Sequence, residues 1–364
     1  MSLSRRENCL AIMNRDNPEW VVYHISYTPD LQRRVQENIT ISDSVRHHGF
    51  PGATVSAPYE RKEDKRDFSK YYADMELPEG ARIDGMGAAY IPGSKYHFEK
   101  KVHPMRNFTD PVEVEEYPWP QEPPYDDAYH EAMKKSAADI KSRDLIAVGS
   151  VGHIFEQAWY LRGMDNLFAD FILNEDLAAA LLDKITGFCI RRSRAAGMAG
   201  ADMIGTGDDV GMQNRMLMSP DEWRRWIKPR FASVIAAGRE HKPDMHVKYH
   251  SDGNVEPIIP DLIEIGVTIL NPVQPECMDP VKLKEQYGDR LCFDGTIGIQ
   301  TTMPFGTPED VDQEVKHMIE TVGNDGGLVI APTHVLEPEV PLDNIRAFLD
   351  AVDRYGHYTG SHSF

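Results

Sequence analysis

From Tyr129 onward the chain alternates short apolar runs with longer amphipathic stretches, and nearly every run stops at glycine or a polar residue. The runs are LIAVGSVG, ADMIGTGDD, MHVKYHSDG, VTILNPVQP, RLCFDGTIG and GLVIAPTH. Between them lie helical stretches such as FILNEDLAAALLDKITGFCIRRSRAAGMAG, TPEDVDQEVKHMIETVG and LDNIRAFLDAVDRY. One of these opens with Ser219 as N-cap, Pro220 at the first helical position and Asp221 and Glu222 in the first turn, the composition that satisfies a helix start. Short strands alternating with helices predict parallel strands joined by right-handed crossovers. An open doubly wound sheet would give the same alternation. The number of repeats and the lack of a nucleotide fingerprint favour an α/β fold of the (β/α)8 TIM-barrel type. GTGDDVG, from Gly205 to Gly211, has the wrong spacing for that fingerprint and places two aspartates where a pyrophosphate would lie. No nucleotide cofactor is expected.

The 364 residues fit a single barrel domain spanning the chain. A chain of this size buries enough surface to need no disulfide or metal for its core. Lys plus Arg number 39 against 58 Asp plus Glu, for a formal net charge of −19. That field repels polyphosphates and anionic membranes, so nucleic acid is not an expected partner. Cys9, Cys189, Cys277 and Cys292 form no CxxC and no regular spacing, which reads as free thiols in a reducing compartment. The N-terminus lacks the apolar core of a signal peptide. No apolar run approaches the ~20 residues that a membrane span needs, so a cytoplasmic protein is expected. Upstream, SRRENCLAIMNRDN reads as a helix and WVVYHISYTP as an extended run. Residues from about 50 to 127 are irregular, rich in Pro, Tyr, Asp and Glu, and too long for a plain loop. We read them as an insertion with short strands of its own, covering the mouth or lining an oligomer interface.

The chemistry is carried by where the runs end. Asp208 and Asp209 follow one strand, His250 and Asp252 end the next, Gln274 and Cys277 follow the third, Asp294 the fourth and His334 the last. In a parallel barrel those ends meet on one face, where barrel enzymes build their sites. His250 and Asp252 lie two apart, so on an extended strand both point the same way. They could share a metal ion, or the carboxylate could orient the imidazole. Cys277 could supply a thiolate to zinc, or be an inert packing cysteine. His334 suits an acid, a base or a further ligand. One of Asp208 and Asp209 would bind substrate while the other caps a segment. Glu156, just past another strand, reads first as an exposed first-turn glutamate.

HSDGNVEPIIPDLIEIGVTILNPVQ, GDRLCFDGTIGIQ, GTPEDVDQEV and GGLVIAPTHVLEPEVPLDNIRAF together resemble the uroporphyrinogen decarboxylase superfamily, clearly from about Leu145 to Val352. The resemblance implies a (β/α)8 barrel and either of two chemistries: cofactor-free porphyrinogen decarboxylation, or zinc-dependent methyl transfer with corrinoid proteins and thiols. The decarboxylases gather substrate carboxylates with early arginines. WVVYHISYTPDL has none before Arg33 and Arg34, so uroporphyrinogen itself is not the expected substrate. His334 matches their C-terminal histidine. The methyltransferases bind zinc through a His-x-Cys pair and a later cysteine. Here His250 matches the histidine, Asp252 stands in place of the first cysteine and His334 in place of the later one. The expectation is therefore a metal-assisted methyltransferase, using a corrinoid or a small methyl donor. His250, Asp252, Cys277 and His334 would be the metal ligands, and His334, Asp208 and Asp209 the catalytic groups. The alternatives are a metal-free decarboxylase of a smaller cyclic acid and a non-catalytic barrel that binds a tetrapyrrole or corrinoid. Expected partners are a small-molecule substrate, a corrinoid protein and a second copy of the chain in a homodimer.

Overall fold

In the computed structural model, which describes residues 2–60, 63–93 and 99–358, the predicted strands assemble as one parallel sheet. The first two strands are β1 (Val22–Tyr23) and β2 (Gly52–Thr54). An antiparallel sheet of β3 (Arg82–Ile83), β4 (Ala89–Ile91) and β5 (Lys100–Val102) comes next. The remainder are β6 (Ile146–Gly152), β7 (Met203–Gly207), β8 (His246–His250), β9 (Ile269–Asn271), β10 (Cys292–Asp294) and β11 (Leu328–Ile330). Without β3–β5, eight strands run β2-β6-β7-β8-β9-β10-β11-β1 in space, so spatial order follows chain order. A parallel bridge between Tyr23 and Gly49, with the Phe50 N–H donating to Tyr23 O at 2.8 Å, joins the two ends of this curled sheet.

The helices form where the sequence supplies caps and apolar stripes. Ser219 accepts from the Glu222 N–H at the start of helix Pro220–Trp226. Thr307 and Asp310 make a capping box at the start of Pro308–Thr321. In Leu342–Tyr355 the buried residues Ile345, Phe348, Leu349 and Val352 recur at helical spacing and turn one face to the sheet.

β2 corrects the predicted extent of the irregular segment. Gly52–Thr54 pairs in parallel with Ile146–Val148, and the Val55 N–H continues the ladder to Val148 O at 2.8 Å. Gly-Ala-Thr carries no apolar run, so nothing local marks it as a barrel strand. Its neighbours decide its state. Beyond it, an aromatic cluster draws on both sides of β3–β5, with Tyr71 before them and Tyr117 after them 5.0 Å apart between ring centroids. Trp119 rests on Phe188 of helix Glu175–Ala199 at 5.7 Å, tying this material to the barrel.

Inside the barrel the floor is apolar. Val22, Ile146, Met203, Ile269, Cys292 and Val329 meet Cys9, Ile12 and Met13 from helix Arg5–Asn14. A capping box between Ser4 and Glu7 starts that helix. Each large side chain withdrawn from water here contributes roughly 1.5–3 kcal/mol. Among the described residues no helix is long and apolar enough to cross a membrane.

Candidate metal centre

β7 and β8 end side by side, with Gly207 opposite His250. Gly207 has φ +146°, and a Cβ there would lie 2.1 Å from the His250 carbonyl oxygen, so only glycine allows this approach. The two following turns are stitched together. Asp209 Oδ1 accepts from the Asp252 N–H at 2.9 Å, and Ser251 Oγ accepts from the Val210 N–H at 3.1 Å. The Gly253 N–H donates to Gln274 Oε1 at 2.6 Å. In consequence ligand atoms of Asp209, His250 and Asp252 all lie within 4.8 Å of one another. Asp209 Oδ1 is 3.7 Å from His250 Nε2.

The surroundings set the state of these groups. Asn271 Nδ2 donates to the Asp294 carbonyl at 3.0 Å, which turns its Oδ1 toward His250 Nδ1 at 2.8 Å. An amide oxygen only accepts, so Nδ1 carries the proton and Nε2 offers its lone pair. Asp252 Oδ1 is buried and has no hydrogen-bond partner. Burial, then the charge of Asp209, push the Asp252 carboxyl above its ordinary range, against the pull of His250 and His334. Two crowded carboxylates and an imidazole lone pair are mutually unfavourable alone and complementary to a divalent cation. One nitrogen and two carboxylate ligands, with a position left open, suit zinc or a harder first-row ion.

The other expected site residues divide. Asp208 is fully buried, and its carboxylate accepts from the backbone N–H groups of Ile154, Phe155 and Glu156 at 3.0, 2.8 and 2.8 Å. It anchors the start of helix Phe155–Arg162. Burial pushes its pKa up to about 7, while His153 and two of these N–H groups pull it back. Cys277 Sγ is 3.8 Å from Gln274 Oε1, and burial followed by the charges of Glu276 and Asp252 pushes its thiol up, away from a thiolate. Among the described residues neither Cys277 nor His334 joins a group of three close ligand atoms. His334 is exposed, with Nδ1 3.4 Å from Val335 O, and its charge still reaches Asp252. Arg33 and Arg34 sit on the surface helix Pro29–Asn38, bonded to Asp30 and the Pro338 carbonyl.

Two features escaped the sequence reading. Glu156 is half-buried, not exposed: it pairs with His153 Nδ1 at 3.1 Å and accepts from Tyr160 Oη. Burial opposes a charge on His153, but the bond to Glu156 and the fields of Asp208, Glu156 and Asp209 outweigh it and raise its pKa to about 9. Ligand atoms of His153, Glu156 and Asp208 also lie within 4.8 Å of one another, so His153 belongs to a second metal-competent group beside the first. Deeper in the barrel, Asp294 binds His24 Nε2 at 2.7 Å and Lys248 Nζ at 2.5 Å. Burial works against its charge, yet Lys248 and His24 hold the carboxyl well below the usual range. The His-x-x-Glu spacing of His153 and Glu156 was a weak signal for the first feature. Nothing local signals the second.

A parallel α/β barrel with an imidazole–carboxylate cluster at its strand ends has the architecture in which barrel enzymes place their sites. Residues 86–355 match the uroporphyrinogen decarboxylase (URO-D) family, and the chain belongs to that family. A methylcobamide:CoM methyltransferase, MtaA, of Methanosarcina barkeri is 31% identical over 185 residues, 50% of this chain and 51% of that protein. A uroporphyrinogen decarboxylase of Pseudoalteromonas atlantica is 24% identical over 155 residues, 40% of this chain and 42% of that one. The chain thus matches about half the length or less of these curated relatives. A solved methyltransferase from Methanosarcina mazei shares the fold, with TM-score 0.63 and 20% identity over 97% of this chain and 99% of that one.

Proposed function

We propose that the chain is a metal-assisted methyltransferase that takes a methyl group from a corrinoid protein or small methyl donor and passes it to a small acceptor. The observation that carries the reading is the group Asp209–His250–Asp252, with its buried unpaired Asp252 oxygen and its preset histidine tautomer. The likeness to a methylcobamide:CoM methyltransferase supports the corrinoid donor. His250 Nε2, Asp252 and Asp209 would hold a divalent ion, zinc being the ion the donor set fits. When bound, the ion supplies Lewis acidity that lowers the pKa of the acceptor or polarises a leaving group. Asn271 keeps the imidazole in the binding tautomer. The charged His153, steadied by Glu156 and Tyr160, holds a proton at the mouth for transfer to or from the reacting pair. Asp208 keeps the helix bearing Glu156 against the cluster, and His334 stands near Asp252 as a rim acid or base.

Metal analysis of the full chain, purified without chelators and then titrated with zinc, tests the reading. The expected result is about one tightly held ion per chain, lost in His250→Ala and Asp252→Ala and retained in Cys277→Ser. A wild type that takes up no zinc, or a His250→Ala variant that binds it equally well, overturns the proposal.

A further inference from the structure

The layer of the barrel interior above the apolar floor is not packed. Met203 belongs to the floor, so Gly205, two residues on in β7, points the same way. A Cβ at Gly205 would meet nothing within 4 Å, and Gly205 keeps some solvent exposure in mid-strand. Thr54 of β2 and Ser150 of β6 are exposed as well, while the space at Gly52 is taken by the Phe50 ring. Barrel interiors are ordinarily filled by bulky branched side chains. Here small residues line the wall from β2 to β7, and Lys248, the register partner of Gly205 on the neighbouring β8, and His24, just past β1, flank it.

Both of those groups are tied from behind to the buried Asp294. Lys248 Nζ has three N–H groups, of which Asp294 takes one. Its side chain is 26% exposed and that of His24 34%. Taking a lysine–aspartate pair out of water is costly, and apolar packing of equal volume is often as stable. A fold that needed only a filled barrel would gain nothing from this pair beside an open space.

We infer that this chamber is an inner subsite for the anionic end of a small organic carboxylate, bound by the free N–H groups of Lys248 beside the His24 ring. Asp294 offsets the charge of Lys248, so the subsite holds a carboxylate through N–H donors without surplus positive charge, which disfavours a polyanion. Lys248 and His250 are two residues apart on β8, about 7 Å along a strand. A carboxylate held at Lys248 thus places an atom some 7 Å away beside the proposed metal ligands. The acceptor is then a short acid, carboxylate down and reacting atom up. This assignment of acceptor class rests on the proposed methyl transfer; the anion subsite itself does not.

The test uses acetate as probe, read by saturation-transfer NMR on the full-length protein in wild type, Gly205→Val, Lys248→Met and His250→Ala. Valine suits a strand and fills the open space, so Gly205→Val is expected to keep its melting temperature and zinc content while acetate binding weakens at least tenfold. Lys248→Met loses binding as well, and His250→Ala keeps it. No acetate signal in wild type, or binding unchanged in a folded Gly205→Val, overturns the subsite. Acetate lost in His250→Ala but kept in Gly205→Val does so too, because the anion then sits on the metal. Wild type without zinc but with Gly205-sensitive acetate binding overturns the metal reading alone and leaves the subsite standing.

Discussion

Asp208 offers the sharpest separation of a structural role from a catalytic one. Its Oδ1 serves the Ile154 and Glu156 N–H groups and its Oδ2 the Phe155 N–H. In Asp208→Ala all three donors lose their acceptor at the start of Phe155–Arg162. A buried donor left unpaired costs about 1–3 kcal/mol. The bonds to Ile154 and Phe155 are buried and that to Glu156 is partly so, which gives a loss of about 3–6 kcal/mol. Asp208→Asn keeps one oxygen for Ile154 and Glu156 and turns an NH2 toward Phe155, so its loss is about 1–3 kcal/mol. Urea unfolding followed by tryptophan fluorescence measures both. Because burial raises the Asp208 pKa from 3.8 to about 7, ionising it costs the folded state stability as pH rises through that range, so the loss in Asp208→Ala is expected to be larger near pH 4 than at pH 8. An alanine variant within 1 kcal/mol of wild type would refute the anchoring role. A variant of normal stability that had lost activity would return Asp208 to the reacting groups.

Two further outcomes follow from the second layer of the site. Asn271→Leu removes the acceptor for His250 Nδ1–H without touching a ligand, so zinc affinity in a chelator competition should fall 10- to 100-fold; an unchanged affinity contradicts the tautomer argument. His153 has its folded pKa raised from 6.5 to about 9, so its contribution to stability is complete below pH 6.5 and fades as pH rises through 9. NMR titration of its ring should show that pKa move down in Glu156→Gln, and a titration unmoved by the change would assign the shift to other carboxylates.

How much of this was legible beforehand depends on sequence distance. The strands from Ile146 to Ile330 showed themselves because each is a short apolar run between helices. His250 and Asp252 could be paired because alternation along a strand is a local rule. Which of Asp208 and Asp209 faced the mouth was not legible: consecutive residues leave an extended chain on opposite sides, and only the pairing of Gly207 with His250 decides between them. Cys277 and His334 follow strand ends as expected, yet a strand end fixes direction less well once the chain has entered a loop. The ion cluster joins residues 270 and 46 positions apart, and no periodicity encodes such pairs. Glu156 was misjudged because its partner Tyr160 lies one helical turn on, where a first-turn glutamate is ordinarily left to solvent.

The helix Arg5–Asn14, set under the barrel with Cys9, Ile12 and Met13 in its floor, gives the proposed reaction its traffic rule. With its lower end stoppered, the barrel is a well with one opening rather than a passage. A molecule at Lys248 must descend past His250 and leave by the same route, and a bulky methyl donor standing over the opening closes that route in both directions. Filling is then obligatorily in order, small acceptor first and donor second, with release reversed. Steady-state kinetics should accordingly show an ordered sequential pattern, in which a dead-end analogue of the donor is uncompetitive against the acceptor.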